Sequence, residues 1–173
     1  MNAIAEQRPR AATETAAADI DIDVDAASPL WSADAPEVVR RAIEAAARAA
    51  GRPGTVAVML TDDATIRAMN AQWRGIDKPT NVLSFPAAPS AAAAGNVHLG
   101  DIAIAHETVA AESASENKAF ADHLAHLAVH GYLHLVGFDH ETDAEAARME
   151  NLEIRILSGL GIADPYADKP SGD

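Results

Sequence analysis

The chain has 173 residues, which is enough for one domain with a sizeable core, and its formal net charge is −13. That charge argues against strong non-specific binding of nucleic acid, because such binding favours a basic surface. The chain contains no cysteine, which excludes disulfides and thiolate ligands and leaves histidine to carry any zinc chemistry.

The two ends of the chain are predicted to be disordered. Residues 1–18 are rich in Ala, Glu and Thr without periodicity, and residues 167–173 form a polar tail, so residues 19–166 are expected to be one domain. The beginning lacks the basic and apolar regions of a secretory signal, and no run of eighteen apolar residues occurs. We therefore expect a cytoplasmic protein without a membrane partner.

Strands and helices alternate along the predicted domain. β-branched or alternating apolar residues predict four strands, at residues 19–25, 55–60, 82–85 and 99–104. Apolar spacing and capping residues predict five helices, at residues 34–50, 62–73, 106–114, 118–136 and 142–157. The first strand carries Asp at every second position and the third is closed by Pro86, so both are expected at sheet edges. This order predicts an α+β domain with a small mixed β-sheet packed with helices.

Three histidines on and after the fourth helix have the spacing of a metal site. His130 and His134 are separated by one helical turn and therefore share a face. Gly137 is typical of the residue that ends a helix in a left-handed turn, which would return His140 to the same point. Three histidines leave the fourth position of a zinc ion open for water, as catalytic sites do.

The other histidines are less clearly assigned. His126 lies on the same helical stripe, but eight residues of helix rise about 12 Å, so His126 and His134 cannot both reach one ion. His126 is therefore expected to pack in the core or to support a ligand. The pattern assigns no role to His98, His106 and His123.

The histidine spacing is that of the metzincin metalloproteases, which predicts a metzincin-like central helix carrying the HxxxHxxGxxH zinc motif. Those proteases place a Glu directly after the first histidine as the general base. Gly131 occupies that position here and cannot accept a proton, which disfavours peptide hydrolysis. Met149 is expected in the core rather than in a Met-turn.

Several stretches together resemble the YbeY family of bacterial endoribonucleases and rRNA maturation factors. The histidine motif, His130 to His140, is similar to the family's signature, and so is the segment from Trp73 to Pro86. The resemblance covers about residues 20–166 and includes three shorter matches, at residues 69–70, 99–102 and 164–166. Trp73 and Phe138 stand where the family commonly has tyrosine.

The resemblance implies a zinc-dependent, single-strand-specific endoribonuclease. Such an enzyme would act in late ribosome quality control and in maturation of the 3′ end of the small-subunit (16S) rRNA. Its partners would be single-stranded rRNA, the small ribosomal subunit and assembly factors, with no DNA expected. One Zn²⁺ ion would be held by His130, His134 and His140, and the functionally important arginine of the family corresponds to Arg74.

A phosphodiester substrate is chemically consistent with these residues. Zinc lowers the pKa of bound water toward about 7, so no carboxylate base is required, and it polarises a phosphoryl oxygen. The planar donors of Arg74 suit a phosphate, although Arg74 paired with Asp77 on the surface is an alternative. Whether water or a ribose 2′-hydroxyl attacks is left open. Contacts to the RNA backbone are compatible with three further polar residues, Thr80, Asn81 and Ser84, and turn-capping roles explain Thr80 and Asn81 equally well.

A non-catalytic ribosome-assembly factor with a structural zinc is the competing hypothesis. The missing general base and the charge of −13 favour it. A structural zinc needs a fourth protein ligand, and Asp139 is the carboxylate near the motif in sequence. Asp139 on the metal would therefore support this hypothesis, whereas an Asp139 that orients a ligand or caps the glycine turn would not.

Overall fold

The computed structural model describes residues 19–89 and 96–168. Four strands lie in these ranges: β1 (Ile20–Ala26), β2 (Gly54–Thr61), β3 (Val82–Pro86) and β4 (His98–Ala105). Five helices accompany them: α1 (Ala35–Ala50), α2 (Asp63–Arg74), α3 (His106–Ser115), α4 (Phe120–Leu135) and α5 (Asp143–Gly159). The element order and the α+β class confirm the prediction. The predicted N-terminal extension lies outside the described residues, as does the predicted tail beyond Asp168, while Ala167 and Asp168 lie in a turn.

The four strands form one mixed sheet with the order β1-β2-β4-β3. β1, β2 and β4 run parallel, and β3 pairs antiparallel with β4. The strands β1 and β3 therefore lie at the two edges, as their sequences predict. In β1 the apolar residues are half-buried and the aspartates Asp21, Asp23 and Asp25 are exposed, so its acidic face is solvated.

Helix ends follow the residues that cap them, with one correction at α4. The Asp62 side chain accepts a hydrogen bond of 2.8 Å from the backbone N–H of Thr65 at the start of α2. The prediction began the fourth helix at Lys118, but the structure begins it at Phe120. The backbone N–H of Lys118 donates to Ser113 at 2.9 Å, so Lys118 completes the end of α3 instead.

The main core lies between one face of the sheet and the two helices α1 and α4. Val56, Val58 and Leu60 of β2 point into it at alternate positions, as expected for a sheet with one face toward the core. A smaller cluster around Ile66 of α2 covers part of the other face. α5 packs against both α1 and α4. Met149 of α5 is buried in the main core, as predicted.

Gly131 allows α4 to approach the sheet closely. A Cβ atom at this position would lie 3.2 Å from the Ser84 Oγ of β3 and 3.2 Å from the Ile102 Cγ2 of β4. The Ser84 hydroxyl also donates to the Gly131 carbonyl at 3.0 Å. The residue after His130 therefore faces the packed sheet, so a longer side chain would collide there.

Within residues 19–89 and 96–168, no helix is long and apolar enough to cross a membrane.

Replacing Gly131 by the protease residue should damage the fold rather than restore a base. We expect Gly131→Glu to lower the free energy of unfolding by about 3 kcal/mol or more, because the carboxylate would be forced against Ser84 and Ile102. Denaturant unfolding of the metal-free proteins measures this loss, and a peptide substrate tests for hydrolysis.

The matched control is Gly159→Glu, because a Cβ at Gly159 in α5 meets no atom within 4 Å. We expect this variant to stay within about 1 kcal/mol of the parent chain. A Gly131→Glu protein with the stability of the parent, or with peptidase activity, would contradict the packing described for α4.

Candidate metal centre

His130 and His134 lie one turn apart on α4 and face the same point. Their Nε2 atoms are 3.1 Å apart, and both side chains are partly buried. The helical spacing of four residues brings them together, as predicted from the sequence.

A left-handed turn at Gly137 returns the chain toward these two histidines. Gly137 has φ 97°, which is accessible to glycine at little cost. The backbone N–H of Phe138 donates to Leu133 at 3.0 Å and that of Gly137 donates to His134 at 3.2 Å. These two hydrogen bonds define a Schellman motif. The exposed His140 follows, with its ring centroid 5.0 Å from that of His134 and 5.7 Å from that of His130.

The three histidines form a group that could hold a metal ion. One ring nitrogen from each of His130, His134 and His140 lies within 4.8 Å of the other two. Bonds of about 2.0–2.1 Å at tetrahedral angles separate donor atoms by roughly 3.3 Å, close to the 3.1 Å between the two Nε2 atoms. A donor set of three imidazole nitrogens therefore fits a tetrahedral ion with one position left over.

Burial and the neighbouring histidines favour the neutral form of the central ligand candidate, His134. Burial lowers the pKa of His134, and the neighbouring His130 and His140 lower it further, while Asp139 and a backbone hydrogen bond oppose the shift. A neutral imidazole is the form that binds metals.

Arg74 opens onto the same cavity as the three histidines. This cavity has a volume of about 560 Å³, and its lining includes Arg74, His130, His134 and His140. The Arg74 Nη2 atom donates to the carbonyl of Ser84 at 3.1 Å, which ties the end of α2 to β3. The structure therefore brings together all four of the residues singled out in the sequence.

The alternative pairing of Arg74 with Asp77 is wrong. Asp77 accepts two hydrogen bonds from Arg67, of 2.7 and 3.1 Å. Hydrogen bonding and the charge of Arg67 lower the pKa of the exposed Asp77 carboxyl. Gly75 ends α2 with φ 70°, so the chain turns back and Asp77 reaches Arg67, more than two turns upstream. No carboxylate of the described residues pairs with Arg74.

The polar residues Asn81, in the turn before β3, and Ser84 of β3 make hydrogen bonds to other residues of the fold. The Asn81 amide donates to Glu112 and its Oδ1 accepts from the Val82 N–H at 2.7 Å, which matches the capping alternative. The Ser84 hydroxyl is buried against Gly131. Asp139 accepts a hydrogen bond of 2.7 Å from the backbone N–H of His140. It does not join the three histidines in the ligand group found among the described residues.

Sequence reasoning missed Glu153, a buried carboxylate behind His130. Its Oε1 lies 2.6 Å from the His130 Nδ1, and its side chain is completely buried. Burial alone would raise its pKa, but hydrogen bonds from His126, His130 and Tyr166 outweigh this and lower the pKa to about 2. The position of Glu153 in the sequence could have indicated its burial, since it lies four residues after Met149 and therefore on the apolar face of α5.

The remaining histidines lie outside the three-histidine group. His126 contacts Glu153 and Tyr166, which agrees with the supporting or packing role predicted for it. His123 is buried against Glu112 at 2.7 Å. His98 is exposed beside Thr55 and Asp101, and His106 packs against the rings of Trp31 and Phe120.

Comparison with known proteins identifies the family. Residues 21–161 match the family described as endoribonuclease YbeY. The chain belongs to the YbeY family. A relative from Rhodopseudomonas palustris named endoribonuclease YbeY is 58% identical over 151 residues, which cover 83% of this chain and 88% of the relative. A relative of the same name from Bradyrhizobium sp. is 57% identical over 143 residues, covering 79% of this chain and 85% of the relative.

A solved structure shares the fold of this chain. The solution structure of a Thermotoga maritima protein aligns with a TM-score of 0.50 and 23% identity. The alignment covers 89% of this chain and 99% of that protein. This similarity supports the α+β architecture alone.

Loss of one central histidine should remove the metal. We expect His134→Ala to bind Zn²⁺ at least tenfold more weakly than the parent chain, because two imidazoles and water replace a three-ligand group. Metal analysis and a competition titration with a chromophoric chelator measure the change. The control is His98→Ala, which removes an exposed histidine outside the group and should bind like the parent. Equal affinities for the two variants would rule out the three-histidine group as the site.

Metal uptake should also depend on pH in a defined direction. Protonation of an imidazole removes the lone pair that binds the ion, so affinity should fall as the pH drops below about 6.5. Because the pKa of His134 is lowered, this ligand should stay neutral to a lower pH than a free imidazole. Zn²⁺ titrations between about pH 5 and 8 test this expectation. An affinity that stays constant across that range would contradict histidine ligation.

Proposed function

We propose that this chain is a zinc-dependent endoribonuclease that cuts single-stranded RNA. Its substrate is the small-subunit rRNA near its 3′ end, and its cellular roles are rRNA maturation and late ribosome quality control in the cytoplasm. Its partners are the small ribosomal subunit and assembly factors. Membership of the endoribonuclease YbeY family supports this proposal.

The observation that carries the proposal is the position of Arg74 relative to the three histidines. The guanidinium and the imidazoles line one cavity of about 560 Å³, although Arg74 and His130 are far apart in sequence. Ser84 holds one Nη atom of Arg74, and the other donors make no hydrogen bond with a described residue. A planar cation beside a metal group suits a phosphodiester better than a neutral peptide.

Part of the net charge of −13 lies away from Arg74. The exposed aspartates of β1 lie at the sheet edge opposite β3, to which Arg74 is tied. Three strand spacings separate these edges by about 14 Å. This distance exceeds the Debye length of about 10 Å at 0.1 M salt, so the repulsion from β1 is largely screened at β3.

Arg74 and the three histidines have distinct parts in the proposed reaction. His130, His134 and His140 would hold the ion, and Zn²⁺ would supply Lewis acidity that polarises a phosphoryl oxygen and acidifies water. Arg74 binds the scissile phosphate and stabilises the negative charge that grows on its oxygens. Gly131 contributes no base, and its position against the sheet leaves no room for one.

The two competing functions receive less support from the same residues. A structural zinc needs a fourth protein ligand, and Asp139 instead accepts from the His140 backbone. Asp139 and Glu141 line the cavity, but neither belongs to the ligand group found among the described residues. A metalloprotease would need a base where Gly131 packs against Ser84 and Ile102.

An RNA-cleavage assay on metal-analysed protein tests the proposal through Arg74. We expect Arg74→Ala to keep its metal and to cleave single-stranded RNA at least tenfold more slowly, a loss of about 1.4 kcal/mol of transition-state stabilisation. The matched control is Arg48→Ala, which removes an arginine from a separate groove between α1 and α5 and should cleave like the parent.

The same assay on His134→Ala separates the enzyme from a contaminant. This variant should lack both metal and cleavage. If it cuts RNA as well as the parent chain, the activity belongs to another protein and the enzymatic proposal fails. If Arg74→Ala cuts at the parental rate while holding its metal, Arg74 does not bind the scissile phosphate.

A further inference from the structure

A buried carboxylate on α5 connects the metal group to the C-terminal segment. Glu153 is the one acidic side chain among the described residues that is fully buried. Its Oε1 contacts the His130 Nδ1 at 2.6 Å. Its Oε2 accepts a hydrogen bond from the Tyr166 hydroxyl and lies 3.4 Å from the His126 Nε2. One carboxylate oxygen therefore contacts a candidate metal ligand, and the other is held by the Tyr166 hydroxyl.

Burial of a charged carboxylate costs free energy, and the hydrogen bonds of Glu153 offset that cost. An ionised carboxylate without partners is strongly destabilising in the interior, and Glu153 is tolerated because both of its oxygens are satisfied. Burial and the hydrogen bond to Glu153 raise the pKa of Tyr166, so its hydroxyl stays protonated and able to donate. Tyr166 follows the end of α5, so the chain beyond that helix completes the pairing.

The contact with Glu153 determines which face of the His130 ring meets the ion. With Nδ1 directed to the carboxylate, the Nε2 atom faces the His134 Nε2 at 3.1 Å. A carboxylate on Nδ1 favours the proton at that nitrogen and leaves the Nε2 lone pair for a metal. This contact with a buried carboxylate acts on the ring of His130 among the three candidate ligands.

We propose that Glu153 is a positioning residue for His130 and that Tyr166 holds Glu153 in place, so that the segment after α5 sets the affinity of the three-histidine group for its ion. The inference rests on the metal site of the proposed function and not on the RNA reaction. It assigns Glu153 no contact with substrate or with the ion.

A second ion is the alternative explanation for the same residues. His126, His130 and Glu153 also lie close enough to share a metal, with donor atoms within 4.8 Å of one another. The Tyr166 hydroxyl already occupies the Oε2 side of Glu153, which favours a hydrogen-bonded pair over a second metal site. The stoichiometry of bound metal separates the two explanations.

The test measures Zn²⁺ affinity and stoichiometry in Glu153→Gln, a substitution that keeps the shape of the side chain and removes its charge. We expect one ion per chain, bound about 10–100-fold more weakly than by the parent protein. Tyr166→Phe keeps the carboxylate and should weaken binding by a smaller factor of about three to ten. The control is Glu44→Gln, an exposed carboxylate of α1, which should bind like the parent.

A tautomer measurement distinguishes positioning from a general structural role. Long-range ¹H–¹⁵N spectra of the metal-free parent should show His130 protonated at Nδ1, and Glu153→Gln should lose this preference while the thermal unfolding midpoint shows that it remains folded. Parental affinity in a folded Glu153→Gln protein would overturn the proposal. So would two ions in the parent chain with one lost in that variant.

The proposal can be tested even if the Glu153→Gln variant does not fold. If Glu153→Gln is unfolded, Tyr166→Phe decides, since parental affinity in the folded Tyr166→Phe protein would overturn the role of the C-terminal segment. RNA is absent from these titrations. A protein that shows the expected affinities but cuts no RNA would therefore refute the proposed function and leave the role of Glu153 intact.

Discussion

The close contact between α4 and the sheet is the constraint on which the metal centre depends. Gly131 has no side chain to separate the helix from Ser84 and Ile102, and its carbonyl accepts a hydrogen bond from the Ser84 hydroxyl. This contact fixes the rotation of α4 about its own axis. The neighbouring His130 is thereby turned toward the cavity on one side and toward Glu153 on the other. Gly131 thus has two effects: it leaves no room for the general base of a protease, and it orients His130 toward the metal site.

Local patterns in the sequence predicted much of the fold and most of the candidate metal centre. The element order, the two edge strands and the spacing of His130 and His134 all depend on residues within a few positions of one another. The turn at Gly137 could likewise be predicted, because a left-handed residue after a helix is a local requirement. Such features are read reliably because the helix and strand periods alone determine which side chains share a face.

Contacts between distant segments could not be predicted in the same way. Sequence proximity suggested Asp77 as an alternative partner for Arg74, but the reversal at Gly75 takes Asp77 to Arg67. Glu153 was not singled out in the sequence, since its partner His130 lies 23 residues away. Arg74 was assigned through resemblance to a family, and only the packing of α2 against β3 shows why it reaches the histidine cavity. Long-range pairing depends on how the elements pack, which local periodicity does not specify.

The seven residues from Val136 to Thr142, which join α4 to α5, have their conformation fixed at both ends. The Schellman motif closes the first helix, and the Thr142 hydroxyl and the Glu145 carboxylate cap the second reciprocally. Ordering a backbone residue costs about 1–2 kcal/mol in conformational entropy. In this connection the entropy is lost when the chain folds, before an ion binds. His140 is therefore preorganised although it is exposed and lies outside any helix. The connection acts as a short tether that holds the third imidazole at high effective concentration beside the other two.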